Sequence, residues 1–184
     1  MRPKFLANYS APSLGYPGEV RDVKTIDGLD DHKKKVPFMK RLILQGANDP
    51  LVREVAVKQC VDSARPRDYR AQAECLFRFV QNGYYINESH ETLQTARYTI
   101  EHGMAGDCDD LAIVLGALLE SIMIPVKIEV IGWTQKGVFE YRHVYLRVGL
   151  PPRAPTAWIA ADPTIPQPFG TEPRDVLAKI QGII

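Results

Sequence analysis

Attack on an amide carbonyl needs a nucleophile, a base, and a group to orient the base. The sequence holds a candidate for each. Cys108 lies in Gly106-Asp107-Cys108-Asp109-Asp110, where a loop enters the apolar stretch LAIVLGALLESIMI. A thiol at a helix N-terminus faces unpaired backbone N–H groups and the positive end of the helix dipole, and both favour the thiolate. Gly106 lets the backbone bend and a substrate come close. The neighbouring aspartates oppose ionisation unless they turn away to cap the helix, so the sulfur needs a positive partner.

His143 is the candidate for that partner. Alternation along Val138–Val148 puts Tyr141, His143, Tyr145 and Arg147 on one face of a strand, and Arg142, Val144, Leu146 and Val148 on the other. Taken alone, a mid-strand histidine is more often a packed core residue than a base. Asp162 shifts that balance. It shares a face with Trp158 and Ala160 and ends its strand just before Pro163. If the two strands pair, the carboxylate holds one imidazole nitrogen and leaves the other to take the thiol proton. The plainer account of Asp162 is a turn-forming residue before proline.

Other candidates are weaker. The other two of the three cysteines, Cys60 and Cys75, fall on apolar stripes at helical spacing and read as core. An odd, sparse count with no C-x-x-C suggests neither a disulfide framework nor zinc, and points to a reducing compartment. His32 belongs to the charged run DDHKKK, read as solvated. His90 and His102 lie in loops near the proposed cleft.

Length and composition set the frame. The chain has 184 residues, 45% hydrophobic and 24% charged, which suits one globular domain with a real core. With 23 basic and 22 acidic residues the formal charge is +1, so no global field favours nucleic acid or an anionic membrane. The opening MRPKFLANYSAPSLGYPGEV lacks the roughly 7–15-residue apolar stretch of a secretory signal, and Leu111 to Leu119 is too short to span a bilayer. The expected location is cytoplasmic as synthesised, with later loading into a virion or other particle left open.

The elements that must position these residues follow from local signals. Residues 1–47, broken by Pro3, Pro12, Pro17, Gly15 and Gly18, read as an extended arm that is either a tail or a segment ordering on a protein partner or assembly. Asn48-Asp49-Pro50 is a helix start, with Val52, Val55, Ala56 and Cys60 following. A second helix from Asp68 carries Ala71, Cys75, Leu76, Phe79 and Val80 and stops at Asn82-Gly83. Residues 84–107 look irregular. The segment after Cys108, apolar nearly all round, predicts a helix buried at the centre of the domain and ended by Pro125. Three strands are expected at Val126–Trp133, Val138–Val148 and Thr156–Asp162, the first two as an antiparallel hairpin. A short helix is expected over Pro173–Ile180.

GDCDDLAIVLGALLESIMIPVKI, RHVYLRV and WIAADPT, in that order, resemble the core of the transglutaminase-like superfamily, most closely its bacterial and phage cysteine-peptidase branch. Glu91-Thr92-Leu93-Gln94-Thr95 shares the likeness, which covers roughly residues 67–165 and leaves 1–47 unmatched. The resemblance implies an α+β fold with a papain-like or transglutaminase-like core, a central buried helix packed on a small antiparallel sheet. It implies a thiol hydrolase domain over 48–184 and a triad of Cys108, His143 and Asp162. The backbone N–H of Cys108 would be the first oxyanion donor and Gln94 the candidate second, in competition with Tyr84, Tyr85 and Tyr98. Tyr85, Tyr98, His102 and Tyr145 are candidates for the substrate cleft. No cofactor is expected. Some relatives bind calcium beside the cysteine, which makes Asp107 and Asp109 weak metal candidates, although helix capping explains them more simply. Asp110 is expected to make a structural hydrogen bond.

The reading is therefore a cysteine peptidase or amidase that forms an acyl-enzyme on Cys108 and acts on a protein, peptide or peptidoglycan substrate. Two alternatives are an acyl transferase and a structural part of a phage or bacterial particle with an idle triad.

Overall fold

A computed structural model describes residues 23–25, 32–61, 64–86, 92–135, 138–174, 176 and 178–183. The chain order begins with strand β1 (Val23–Thr25), helix α1 (His32–Ala47), helix α2 (Pro50–Ala56) with a π-helical turn at Val57–Val61, and helix α3 (Tyr69–Gln81). Two short strands, β2 (Tyr84–Tyr85) and β3 (Thr92–Gln94), lead to helix α4 (Ala96–Glu101), strand β4 (Ala105–Gly106) and the central helix α5 (Cys108–Ser121). Strands β5 (Val126–Gln135), β6 (Val138–Leu150), β7 (Ala157–Ala161) and β8 (Ala178–Ile183) complete an α+β fold.

Helix α5 forms where the sequence predicts it. Asp107 caps it, accepting from the N–H groups of Asp109 and Asp110, and residues from Asp109 to Leu119 are all buried. Helices α1, α2, α3 and α4 all pack against α5. On its other side lies an antiparallel sheet of four strands in the order β7-β6-β5-β8. The period-two alternation sends Val126, Ile128, Val130, Val144, Leu146 and Val148 into the core shared with α5. The expected starts of the first two helices are present: Asp49 caps α2 ahead of Pro50, and Asp68 caps α3.

Several expectations are corrected. The last sixteen residues of the predicted arm, 32–47, form α1, because Val36, Met39, Leu42 and Ile43 recur at helical spacing and are buried against the core. Residues 1–22 and 26–31 of the arm, like His90, lie outside the described residues, as does the side chain of His32. The stripe on α3 is rotated, with Phe77 buried to 1% exposure and Phe79 only packed at the edge. Residues 84–107 are structured rather than irregular: β2 pairs in parallel with β4, and β1 pairs antiparallel with β3. Where a C-terminal helix was expected, β8 instead pairs antiparallel with β5 from Lys127↔Ile183 to Gly132↔Ala178, satisfying its backbone on the sheet edge. Cys60 and Cys75 form a disulfide with Cα atoms 5.7 Å apart, a bond for which the expected reducing compartment made no provision. Cys60 is nonetheless a fully buried core residue.

The outer face of the sheet carries a charged network that the sequence did not signal. Glu129 of β5, fully buried, accepts from Tyr145, from Arg147, from Lys179 at 3.0 Å and from Gln181 at 2.8 Å. Arg147 also grips Glu172 with two bonds, of 2.9 and 2.7 Å. Burial pushes the Glu129 carboxyl up, but these donors outweigh it and hold the group at about 2. The network bonds β5, β6 and β8 through side chains as well as backbone.

Two predictions follow from this packing. Gly46 sits where a Cβ would lie 2.7 Å from the Ala117 Cβ and 2.9 Å from the Ala96 Cβ, and neither of those short side chains can turn aside. Gly46→Ala should lower stability by about 1–3 kcal/mol in chemical denaturation despite its better helix propensity; a stabilised variant would refute the close α1–α5 contact. Glu129 is ionised more readily in the folded chain than its ordinary value of 4.5, so its stabilisation is complete above that pH and lost as pH falls towards 2. Glu129→Gln should cost roughly 3 kcal/mol at neutral pH, and the gap to wild type should close through that acid window in pH-dependent thermal unfolding. A gap that stays constant with pH would count against the network.

Candidate active site

The sequence feature that builds the site is Pro163. In β6, Gly149 sends its N–H to Pro125 on the β5 side, so odd-numbered residues in this stretch face β5 and even-numbered ones face β7. Strands β6 and β7 are in register from Leu150↔Ala157 to Leu146↔Ala161. Two residues further, Pro163 would stand opposite Val144, but it has no N–H to give to the Val144 carbonyl. Strand β7 ends at Ala161, before its next carbonyl can come opposite Val144, so the Val144 N–H is not taken up by the strand. The Cys108 sulfur receives it: a backbone hydrogen bond from Val144 favours the thiolate.

The residue after Ala161 turns to the imidazole. His143 Nε2 is 2.6 Å from Asp162 Oδ2, with Asp162 only 4% exposed. The other carboxylate oxygen of Asp162 accepts from the Thr164 hydroxyl at 2.6 Å and the Thr164 N–H at 3.1 Å. Asp-Pro-Thr is thus an Asx-type turn and a carboxylate mount at once, and Thr164 is a contributor that the sequence reading passed over. Asp162 is placed to accept a hydrogen bond from Nε2, an arrangement that suits the tautomer with Nδ1 free of a proton. On the other side, the Tyr145 ring stacks with that of His143 at 6.5 Å between centroids.

Cys108 is the first residue of α5 and the free cysteine of the chain. Its Sγ lies 3.8 Å from Asp109 Oδ1. Burial pushes the thiol well above its ordinary range, and the charges of Asp109 and Asp107 push it further, while the Val144 backbone and the Lys35 ammonium pull it back. The conflict anticipated from the aspartates is real, and the resting sulfur carries its proton. Asp109 is only partly turned away: its carboxylate pairs with Lys35 of α1, and both side chains are almost fully buried. Lys35 belongs to the charged run DDHKKK read as solvated, so its burial is a correction.

Asp110 makes the structural bonds expected of it. One oxygen accepts from the Gln94 N–H at 2.8 Å, and the other faces the Asp107 N–H at 3.4 Å. Gly106 is required for this, since a Cβ there would meet the Asp110 Cβ at 2.5 Å. Gln94 is buried, and its Oε1 accepts from the Thr99 hydroxyl at 3.1 Å, which orients the amide and leaves Nε2 as its donor end.

The expected cleft residues separate. Tyr85, 52% exposed, pairs with Gly106 beside the cysteine loop. Partial burial raises its hydroxyl pKa, and so do Cys108, Asp107, Asp109 and Asp162, which places the phenol in the field of the site. Tyr145 is no cleft wall: it is fully buried with its hydroxyl on Glu129. Arg142 is the extra residue of a β-bulge opposite Ile131/Gly132, which turns Tyr141 onto the core face and away from the face expected for it. Tyr98 and His102 stack on each other at 3.7 Å, and the His102 ring bonds the Tyr98 carbonyl at the end of α4.

Asp107, Cys108 and Asp109 offer ligand atoms within 4.8 Å of one another. This set does not suit calcium, which takes six or more oxygens. One of the three donors is a sulfur, Asp107 Oδ1 already caps two N–H groups, and Asp109 already holds an ammonium.

No curated protein matches the chain. A crystal structure of a candidate cysteine protease from Cytophaga hutchinsonii matches with 19% identity and a TM-score of 0.45, covering 87% of this chain and 55% of that one. The chain thus spans about half the length of that protein. No helix among the described residues is long and apolar enough to cross a membrane. The family model of the transglutaminase-like superfamily matches residues 55–163, more than half of the chain and the whole stretch from Cys108 to Asp162, and this protein belongs to that superfamily.

Proposed function

We propose that the chain is a thiol-dependent hydrolase that cleaves amide bonds through an acyl-enzyme on Cys108. The observation that carries this reading is the 2.6 Å contact of His143 Nε2 with Asp162, made one residue along β6 from the backbone group that holds the sulfur. A histidine whose outer nitrogen is fixed by a buried carboxylate has one nitrogen left for proton transfer, and that is Nδ1.

In this mechanism Nδ1 of His143 takes the Cys108 proton as the sulfur attacks the carbonyl carbon. The thiol held neutral at rest becomes a thiolate only as the proton moves, and the imidazolium formed is stabilised by Asp162. The tetrahedral oxyanion is met by the backbone N–H of Cys108 and by Nε2 of Gln94. The C–N bond breaks, and the leaving amine takes the proton from His143. Water then gives a proton to His143 and attacks the thioester, releasing the acid and restoring the thiol. Tyr85 borders the entrance.

The test is incubation with peptide and peptidoglycan-fragment libraries, read by mass spectrometry. Wild type should add water across an amide bond, and a thiol-directed probe should label Cys108 alone. Cys108→Ala should abolish both. Asp162→Asn should lower kcat on the order of 10⁴-fold, by analogy with the loss of the orienting carboxylate in serine proteases, and Gln94→Ala by about 10²–10³-fold. Turnover retained by Cys108→Ala would end the proposal. Products joined to an added amine would identify an acyl transferase, and no turnover on any library would favour a structural part with an idle triad.

A further inference from the structure

Resting on that reading of Cys108 as the nucleophile, we propose that Lys35 is a positioning residue of the active site, holding Asp109 and offsetting its charge beside the sulfur. Helix α1 would then belong to the catalytic apparatus as well as to the scaffold. Lys35 lies outside the residues 55–163 matched by the family model, on a helix that the sequence presented as part of an arm.

A lysine and an aspartate with side-chain exposures of 9% and 2% are costly to desolvate, and such a pair is tolerated only with close contact. The contact is made, ammonium to Asp109 Oδ2. The other oxygen, Oδ1, faces Cys108 Sγ at 3.8 Å. One carboxylate therefore stands between the ammonium and the nucleophile, and its net effect on the sulfur depends on the lysine. The other groups that act on the thiol are Asp107 on α5 itself and the Val144 backbone of β6; the Tyr85 hydroxyl of β2 lies in the field of the thiol, and the His143–Asp162 pair stands one residue along β6 from Val144. Among the described residues, Lys35 is a cation that acts on the sulfur against the two aspartates. Without it, ionisation of Cys108 during attack would occur beside an uncompensated anion, and Asp109 would be free to turn towards the sulfur.

The test follows the sulfur directly and needs no substrate. The rate of Cys108 alkylation by iodoacetamide is measured against pH on the full chain, for which Cys108 is the free thiol. Lys35→Met should move the profile to higher pH and slow alkylation at pH 8 about tenfold, which corresponds to one pKa unit. Lys35→Arg should track wild type, and Asp109→Asn should move the profile the other way. A role in packing alone would leave the midpoint where it is. Should Lys35→Met fail to fold, the Lys35→Met/Asp109→Asn double variant leaves no lone buried charge and takes its place. Its midpoint must then lie above that of Asp109→Asn. Coincident profiles in folded variants would overturn the role of Lys35. Since alkylation is independent of turnover, a failed hydrolase reading shows up in the library assay and a failed Lys35 reading in the pH profile.

Discussion

Because Pro163 has no N–H to give to the Val144 carbonyl, β7 does not continue its ladder there, and with the strand ended at Ala161 its next carbonyl does not take the Val144 N–H. The Val144 N–H becomes available to the Cys108 sulfur, and Asp162 leaves the strand with its carboxylate on His143. A β7 longer by one residue pair would take the Val144 N–H for its own carbonyl. The central helix then has to deliver its first residue to that gap, and it does so because Asp107 and Asp110 form a capping box that fixes where α5 begins. A shift of one residue in the helix start would rotate the sulfur by about 100° around the axis.

Much of this was legible from local signals. Asp-Pro before a hydrophobic stripe, Gly-Asp before a continuous apolar run, and alternation along residues 126–148 each encode an element with little help from the rest of the chain. The triad order was legible for the same reason, since each member sits at a boundary that sequence marks: a helix cap, a strand, and a strand end before proline. The remaining misses are all tertiary. Lys35 looks solvated until Asp109, 74 positions away, is placed against it. Residues 178–183 have spacing acceptable to a helix, and only the free edge of β5 makes them a strand. The bulge at Arg142 changes the face of Tyr141 with no glycine or proline beside it in β6, and the glycine that stands opposite, Gly132, lies on the facing strand. Cys60 and Cys75 each fit an apolar stripe, and their pairing depends on how the π-helical turn meets α3.

The imidazole is held from both sides by different chemistry. Asp162 holds its edge, while Tyr145 supports its face. Tyr145 cannot move freely, because its hydroxyl is bonded to Glu129, and Glu129 is bonded in turn to Arg147 and to Lys179 and Gln181 of β8. The charge-assisted bonds around Glu129 are of the strong kind, and in a buried network each limits the freedom of the next. A rigid base is what a proton transfer needs, since small errors of position weaken it steeply.

The reacting groups and the groups that tune them therefore come from different parts of the chain. The stretch from Cys108 to Asp162 contains every atom proposed to exchange protons or bonds. Helix α1, which precedes the family-matched region, brings a cation to the sulfur, and β8, which follows it, anchors the carboxylate beneath the base. A superfamily core of this kind fixes directions well, because a helix start and strand register are backbone properties. It fixes charge less well, because three acidic residues beside a buried thiol leave its ionisation to whatever packs against them. Flanking elements can vary that charge without disturbing the backbone geometry, and α1 occupies the position from which this is possible.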